Sequence, residues 1–139
     1  MPVPANAGQR TVLQYDWDFA VHGGTKDANI TLATVPLNWV TTAVHVVCVT
    51  VMVGASGTFD VGHSTTPAAF FDDLAITTMD TVGKVQSVKM EDMAAATTAA
   101  LRARVILINT TNQTAGCVRI YEEGFVADLQ TGKKADTSY

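Results

Sequence analysis

The stretch Thr42-Ala-Val-His-Val-Val-Cys-Val-Thr-Val-Met-Val53 decides the fold of this chain. Six of its twelve residues are valine, and nearly every position on both faces is apolar or small. β-Branched side chains lose rotamer freedom in a helix but fit a pleated sheet, and the stretch is too short to cross a bilayer as a helix. It therefore predicts a long strand that is covered on both faces, at the centre of a β-rich domain.

Shorter segments on either side share this strand-like composition and are separated by turn residues. They predict further strands at residues 11–19, 30–33, 58–61, 84–90, 101–109 and 116–127. Two β-hairpins are expected, one between residues 42–53 and 58–61 and one between the last two strands. Pro67 favours a short helical turn over residues 67–74, because proline is preorganised for the first position of a helix.

These elements predict an all-β fold, an antiparallel β-sandwich that is jelly-roll-like, with about eight strands and one short helical turn. The domain is expected to span residues 10–128, preceded by an extended arm of Pro, Gly and Ala at residues 1–9 and followed by a polar tail at residues 129–139. Residues 91–104 allow two interpretations. Their acidic start and basic end suit a helix dipole, but the Thr97-Thr98 pair and the strand that follows favour the irregular connection that we expect.

The surface is predicted to be unusually neutral. Charged residues make up 16% of the chain, against roughly 25% in ordinary soluble domains, and the mean hydropathy is +0.19. Such a surface favours contacts with other protein. The net charge of −4 argues against direct binding of nucleic acid, no membrane span is expected, and the first residues lack the pattern of a signal peptide, so we expect synthesis in a reducing cytoplasm.

Residues that could act in catalysis or bind a metal are few, and their spacing does not match a known site. The cysteines, Cys48 and Cys117, lie in apolar runs and are interpreted as core thiols, although a disulfide between them stays open. The histidines have no partner at a metal-ligand spacing, and no nucleophile elbow or phosphate loop is present. We therefore predict no enzyme, no catalytic residue, no cofactor and no metal.

Several carboxylates are the strongest alternatives to that prediction. Asp60 near His63 suits a turn better than an acid–base pair, and the Asp72–Asp73 pair suits a solvated surface better than a calcium loop. Of Glu122 and Glu123 on the last strand, one must point toward solvent or a partner. The aromatic residues suit either a sugar-binding shelf or core and interface anchors, and the core interpretation is favoured because no matching polar set surrounds them; these residues are Trp17, Trp39, Phe70 and Phe71.

One ordered set of segments resembles a known family. The set comprises Val35-Pro-Leu37, the valine-rich strand, Gly57-Thr-Phe-Asp-Val-Gly62, Pro67-Ala-Ala-Phe-Phe71 and Ala115-Gly-Cys-Val-Arg-Ile-Tyr121. It is similar to the small jelly-roll virion proteins of tailed bacteriophages, the capsid decoration (cement) and head-fibre proteins. The resemblance covers roughly residues 35–127 and rests on structural residues.

The resemblance implies a non-enzymatic protein on the outside of a phage capsid, bound to the major capsid protein as a homotrimer and clamping the shell against packaged DNA. The alternatives are another virion component, such as a head fibre, neck or tail protein, or a carbohydrate-binding jelly roll. Candidate contacts with the capsid or a second subunit are Pro2, Val3, Pro4, Arg10, Trp17, Trp39, Phe70 and Tyr139.

Overall fold

Eight strands dominate the structure, a computed structural model that describes residues 10–54, 56–90 and 102–127. One α-helical turn, Phe19–His22, follows the first strand, and a 3₁₀ turn, Ile76–Met79, follows the fifth. The predicted all-β fold of about eight strands is confirmed. The strands are β1 (Thr11–Asp18), β2 (Asn29–Thr34), β3 (Trp39–Val53), β4 (Thr58–His63), β5 (Thr66–Ala75), β6 (Val85–Lys89), β7 (Ala103–Asn109) and β8 (Ala115–Val126).

The strands form two four-stranded sheets, in the orders β1-β8-β3-β6 and β2-β7-β4-β5. Pairs are nested along the chain: β1 pairs with β8, β2 with β7, β3 with β6 and β4 with β5, all antiparallel. This is the pattern that results when one long hairpin is wrapped into two facing sheets. It is a jelly roll, as predicted.

The valine-rich stretch forms the central part of β3, which begins at Trp39 and bonds to β8 on one side and β6 on the other. Val44, Val46 and Cys48 face the apolar core between the sheets and are fully buried. The intervening Val47 and Val49 are only half-buried. The prediction that β3 is covered on both faces therefore holds for its inner face. Among the described residues, nothing covers its outer face completely.

Both predicted hairpins are wrong. β3 and β4 lie in different sheets, and so do β7 and β8. The connections around Gly54 and Asn112 carry the chain across the sandwich and do not return it within one sheet. Glycine and asparagine serve both kinds of turn, so turn composition could not separate them. Among the described strands, β4 and β5 form the hairpin between consecutive strands.

The helical turn predicted at residues 67–74 is also wrong, because this segment is β5. Pro67 lies near the beginning of an edge strand, where its missing N–H leaves no ladder hydrogen bond unmade. The arm at residues 1–9, the connection at residues 91–101 and the tail at residues 129–139 fall outside the described residues.

Gly124 of β8 is a position where the sheet has no space for a side chain. A Cβ atom there would lie 2.1 Å from the Val40 carbonyl oxygen and 2.7 Å from the Trp39 ring. We expect Gly124→Ala to lower the free energy of unfolding, measured in urea, by about 1–3 kcal/mol, because the added methyl group overpacks this site. The exposed control Ser64→Ala should stay within about 0.5 kcal/mol of the unsubstituted protein; equal midpoints for both variants would contradict the close approach.

Candidate functional site: a buried ion pair and an uncovered sheet face

A fully buried carboxylate, Glu122 of β8, lies between the sheets. Its Oε1 atom accepts hydrogen bonds from Tyr15 Oη at 2.7 Å and Arg104 Nε at 2.9 Å. Its Oε2 atom accepts from Trp39 Nε1 at 2.8 Å, Arg104 Nη2 at 2.9 Å and the Thr41 hydroxyl. These five bonds occupy the acceptor positions of an ionised carboxylate.

Arg104 brings the opposite charge from the other sheet. It lies on β7, is almost completely buried, and places its guanidinium 5.3 Å from the centroid of the Phe70 ring, within the range of a cation–π contact. The bidentate pair with Glu122 therefore joins the two sheets at the level where β3 begins. An arginine and a carboxylate in this fork geometry form the stronger kind of charge-assisted hydrogen bond.

The Glu122 carboxyl is ionised at neutral pH because its hydrogen bonds outweigh its burial. Burial by itself raises the pKa of the Glu122 carboxyl, but the hydrogen bonds and charge of Arg104, with the hydroxyls of Thr41 and Tyr15, bring that pKa below its ordinary value. Burial, followed by the negative charge of Glu122, raises the pKa of the Tyr15 hydroxyl well above its ordinary value. Tyr15 therefore stays a neutral donor.

This ion pair was not predicted from the sequence. Its signal was present in β8, where the inward positions alternate as Val118, Ile120, Glu122 and Gly124. A carboxylate at a core position of a period-2 pattern requires a buried cation or several donors. The expectation that one of the two adjacent glutamates points outward is confirmed, since Glu123 lies on the partly exposed outer face.

The outer face of the β1-β8-β3-β6 sheet carries three rows of side chains, each row crossing the strands in the order β6, β3, β8, β1. Strand register fixes the members of each row. The rows are Val85, Val47, Arg119 and Asp16; Ser87, His45, Tyr121 and Gln14; and Lys89, Ala43, Glu123 and Val12.

Charges on this outer face are mostly paired within it. Arg119 Nε and Nη2 donate to the two carboxylate oxygens of Asp16 at 2.9 and 3.1 Å. His45 Nε2 contacts Glu123 Oε2, and His45 Nδ1 lies 2.7 Å from the Ser87 hydroxyl. Arg10, at the start of the described chain, reaches within 3.9 Å of the same Glu123.

A shallow depression of about 580 Å³ lies at the corner of this outer face, next to Arg10. It forms where the small side chain of Ala43 stands between the longer Lys89 and Glu123. Apolar and polar groups share its lining, so it suits contact with protein better than capture of a charged ligand.

Three carboxylates meet on the other sheet, with oxygens of Asp60, Asp72 and Asp73 within 4.8 Å of one another. Oxygen donors of this kind suit Ca²⁺. Asp60 Oδ1 already accepts from Asn109 Nδ2 at 3.0 Å and the Asp73 backbone N–H at 2.7 Å, so the cluster has a structural role in fastening β5 to β7. Asp72 and Asp73 are exposed, as expected.

The remaining candidates for chemistry have structural roles. His63 Nδ1 accepts from the Thr66 backbone N–H at 3.1 Å in the β4–β5 turn, and burial, with the nearby Arg104 charge, lowers its pKa. Both cysteines are free and buried, and burial raises the pKa of each thiol. Cys48 faces the core, but Cys117 precedes the core-facing Val118 and lies on the opposite side of the sheet. The two thiols are therefore unpaired.

The structure separates the predicted contact residues into three groups. Arg10 is exposed at the edge of the depression. Trp17 and Trp39 are 0% and 1% exposed, and Phe70 is buried beneath Arg104, which confirms the core interpretation of these aromatic residues and leaves no indole shelf for a sugar. The other four, Pro2, Val3, Pro4 and Tyr139, fall outside the described residues.

The fold matches chains of two phage capsid structures. A chain of the cyanophage Pam1 capsid asymmetric unit superposes with a TM-score of 0.65 at 16% sequence identity, covering 91% of both chains. A chain of the capsid of Ralstonia phage GP4 gives a TM-score of 0.55 at 19% identity, covering 93% of this chain and 91% of that one. No protein-family model and no curated sequence matches. The jelly roll implied by the family resemblance is thus confirmed as a fold.

Within the three described ranges, no helix has the length and apolar character needed to cross a membrane.

The ion pair predicts a non-additive pattern of stability. Arg104→Met or Glu122→Leu alone leaves one buried charge uncompensated, and we expect each to cost about 3–5 kcal/mol in unfolding free energy. The double variant removes both charges together and should be clearly more stable than either single variant. Urea unfolding of the four proteins measures this coupling; additive losses would contradict the mutual dependence of the two charges.

The same ion pair predicts how the free energy of unfolding falls at acidic pH. Because the folded state holds the pKa of Glu122 below its ordinary value of 4.5, the unfolded chain binds the proton more readily. The stabilisation is therefore complete above about pH 5 and is lost as the pH falls through the lowered folded pKa. Between about pH 5 and pH 3, the unsubstituted protein should lose more unfolding free energy than the Arg104→Met/Glu122→Leu variant, whereas parallel curves would exclude this contribution.

Proposed function

We propose that this chain is a structural virion protein, a decoration (cement) protein that binds the outside of a phage capsid and stabilises the shell. The proposed partners are the major capsid protein and two further copies of the chain in a homotrimer, assembled in the host cytoplasm. The observation that carries the proposal is the match of fold to a chain of the Pam1 capsid over nine-tenths of both chains.

The strand pairing suits a protein that must bear load. β8, the last strand, lies inside its sheet and is hydrogen-bonded along its length to both β1 and β3. The described chain therefore begins and ends in two strands that are hydrogen-bonded to each other within one sheet. The Arg104–Glu122 pair adds a polar connection between the sheets at the same end of the sandwich.

The surface suits repeated contacts on a lattice. The charges of the outer sheet face are largely paired with one another, which lowers the cost of covering that face with protein. Many copies on one shell act at high effective concentration, so each contact needs only modest affinity. A non-enzymatic role is consistent with the structural use of the aspartates and His63 described above.

The alternatives differ in what they require of the surface. A carbohydrate-binding module needs exposed aromatic rings, but Trp17 and Trp39 are enclosed. A head-fibre, neck or tail component is compatible with the same sandwich and differs in shape, since a fibre forms an elongated assembly with one attachment end.

Binding to shells tests the proposal directly. Light scattering of the purified protein should give about three times 14.7 kDa, and the protein should co-sediment with undecorated, expanded capsids while raising their disruption temperature. Unassembled capsid subunits are the matched control, because a lattice-specific binder should ignore them. A monomer that does not co-sediment with shells would overturn the proposed function.

A further inference from the structure

The central strand β3 has apolar side chains on both faces of its sheet. Among the described residues, the opposing sheet covers its inner face, and no other element covers its outer face. Val47 and Val49 point away from the core and are half-buried, while Val12 and Val85, at opposite edges of the same outer face, are 53% and 50% exposed. The solvated face of an antiparallel sheet is ordinarily polar. On this face the exposed valines stand among charges that are mostly paired with one another, and a mixed surface of this composition suits contact with protein.

This outer face presents no net charge to a partner. Its three rows contain two cations, Arg119 and Lys89, and two anions, Asp16 and Glu123. Arg119 and Asp16 bond to each other, and Glu123 is held by His45 and approached by Arg10. A charged partner would have to disrupt these pairs, so the complementary occupant is an uncharged segment of protein.

We propose that residues 1–9 of a second copy of this chain cover the outer face. Their sequence, Met-Pro-Val-Pro-Ala-Asn-Ala-Gly-Gln, contains no charged side chain. Nine extended residues span up to about 30 Å, whereas four strands are only about 19 Å across. Pro2 and Pro4 lack the N–H needed to extend a sheet edge, so side-chain contacts across the face, with Val3 in the depression beside Ala43, are the favourable mode.

The direction of β1 favours a second copy over the same chain. β1 runs from Thr11 into the sheet, beginning at the end where Arg10 borders the depression. A segment that continues this line backwards from Arg10 passes beyond the end of its own sheet, and it would have to turn across the strands to cover its own outer face. The inference rests on the proposed function, since a capsid lattice is what holds neighbouring copies within reach.

Cysteine crosslinking between two singly substituted proteins tests this arrangement. We expect a mixture of Val3→Cys and Ser87→Cys proteins, bound to expanded shells under mild oxidation, to give a crosslinked dimer. Because each chain carries one new cysteine, that product joins two copies. The native thiols, Cys48 and Cys117, are buried and should contribute little. The matched control replaces Ser87→Cys with Ser64→Cys, another exposed serine, in the β4–β5 turn of the other sheet, and should give no dimer above background.

Either of two crosslinking patterns would overturn the inference: equal crosslinking of both serine variants, or a fast-migrating intrachain product from the Val3→Cys/Ser87→Cys double variant in place of the dimer. Absence of any crosslink on shells that bind the protein would overturn it as well. Shell binding by the unsubstituted protein is scored separately, so bound shells without the Ser87 crosslink refute this contact and leave the proposed function standing. Failure to bind shells refutes the proposed function and, with it, the inference.

Discussion

The contact on which the rest of the sandwich depends is the bidentate pair between Arg104 and Glu122. It places opposite charges from two sheets in a space closed to water, and three further side chains of the first sheet donate to the same carboxylate. Each of these groups is costly to bury alone. The sheets therefore have one arrangement in which the polar groups at this end are all satisfied, and a shift of either sheet would break several bonds at once.

Apolar packing supplies the bulk of the stability, while this polar cluster fixes the position of one sheet relative to the other. Trp17 and Trp39 lie toward the two ends of the core, and each indole donates a hydrogen bond, to the Gly23 carbonyl and to Glu122 respectively. Between them the core is built from valine, isoleucine, phenylalanine and methionine. A stiff body of this kind suits the proposed shell-stabilising role, because deformation of the subunit would weaken a shell that it holds.

Strands were predictable from the sequence because alternation and β-branching are local properties. β3 and β8 were found almost to their ends, and the jelly roll followed from strand number and spacing. Pairing was not predictable in the same way, since the turn before Thr58 has the composition of a hairpin but joins two sheets. The ion pair was missed because Arg104 and Glu122 become neighbours only through that pairing. The outer sheet face was anticipated only indirectly, through valines on both sides of β3.

Nested pairing also determines the order in which the strands can pair during folding. Tyr15 bonds to a residue 107 positions further along the chain, and β1 has its registered partner only once β8 exists. Such a high contact order predicts slow folding. During synthesis, β3 must wait for β8 with both of its apolar faces exposed, which makes the nascent chain vulnerable to aggregation. The topology that joins the two ends of the finished subunit thus lengthens the period in which the ribosome-bound chain exposes unpaired strands.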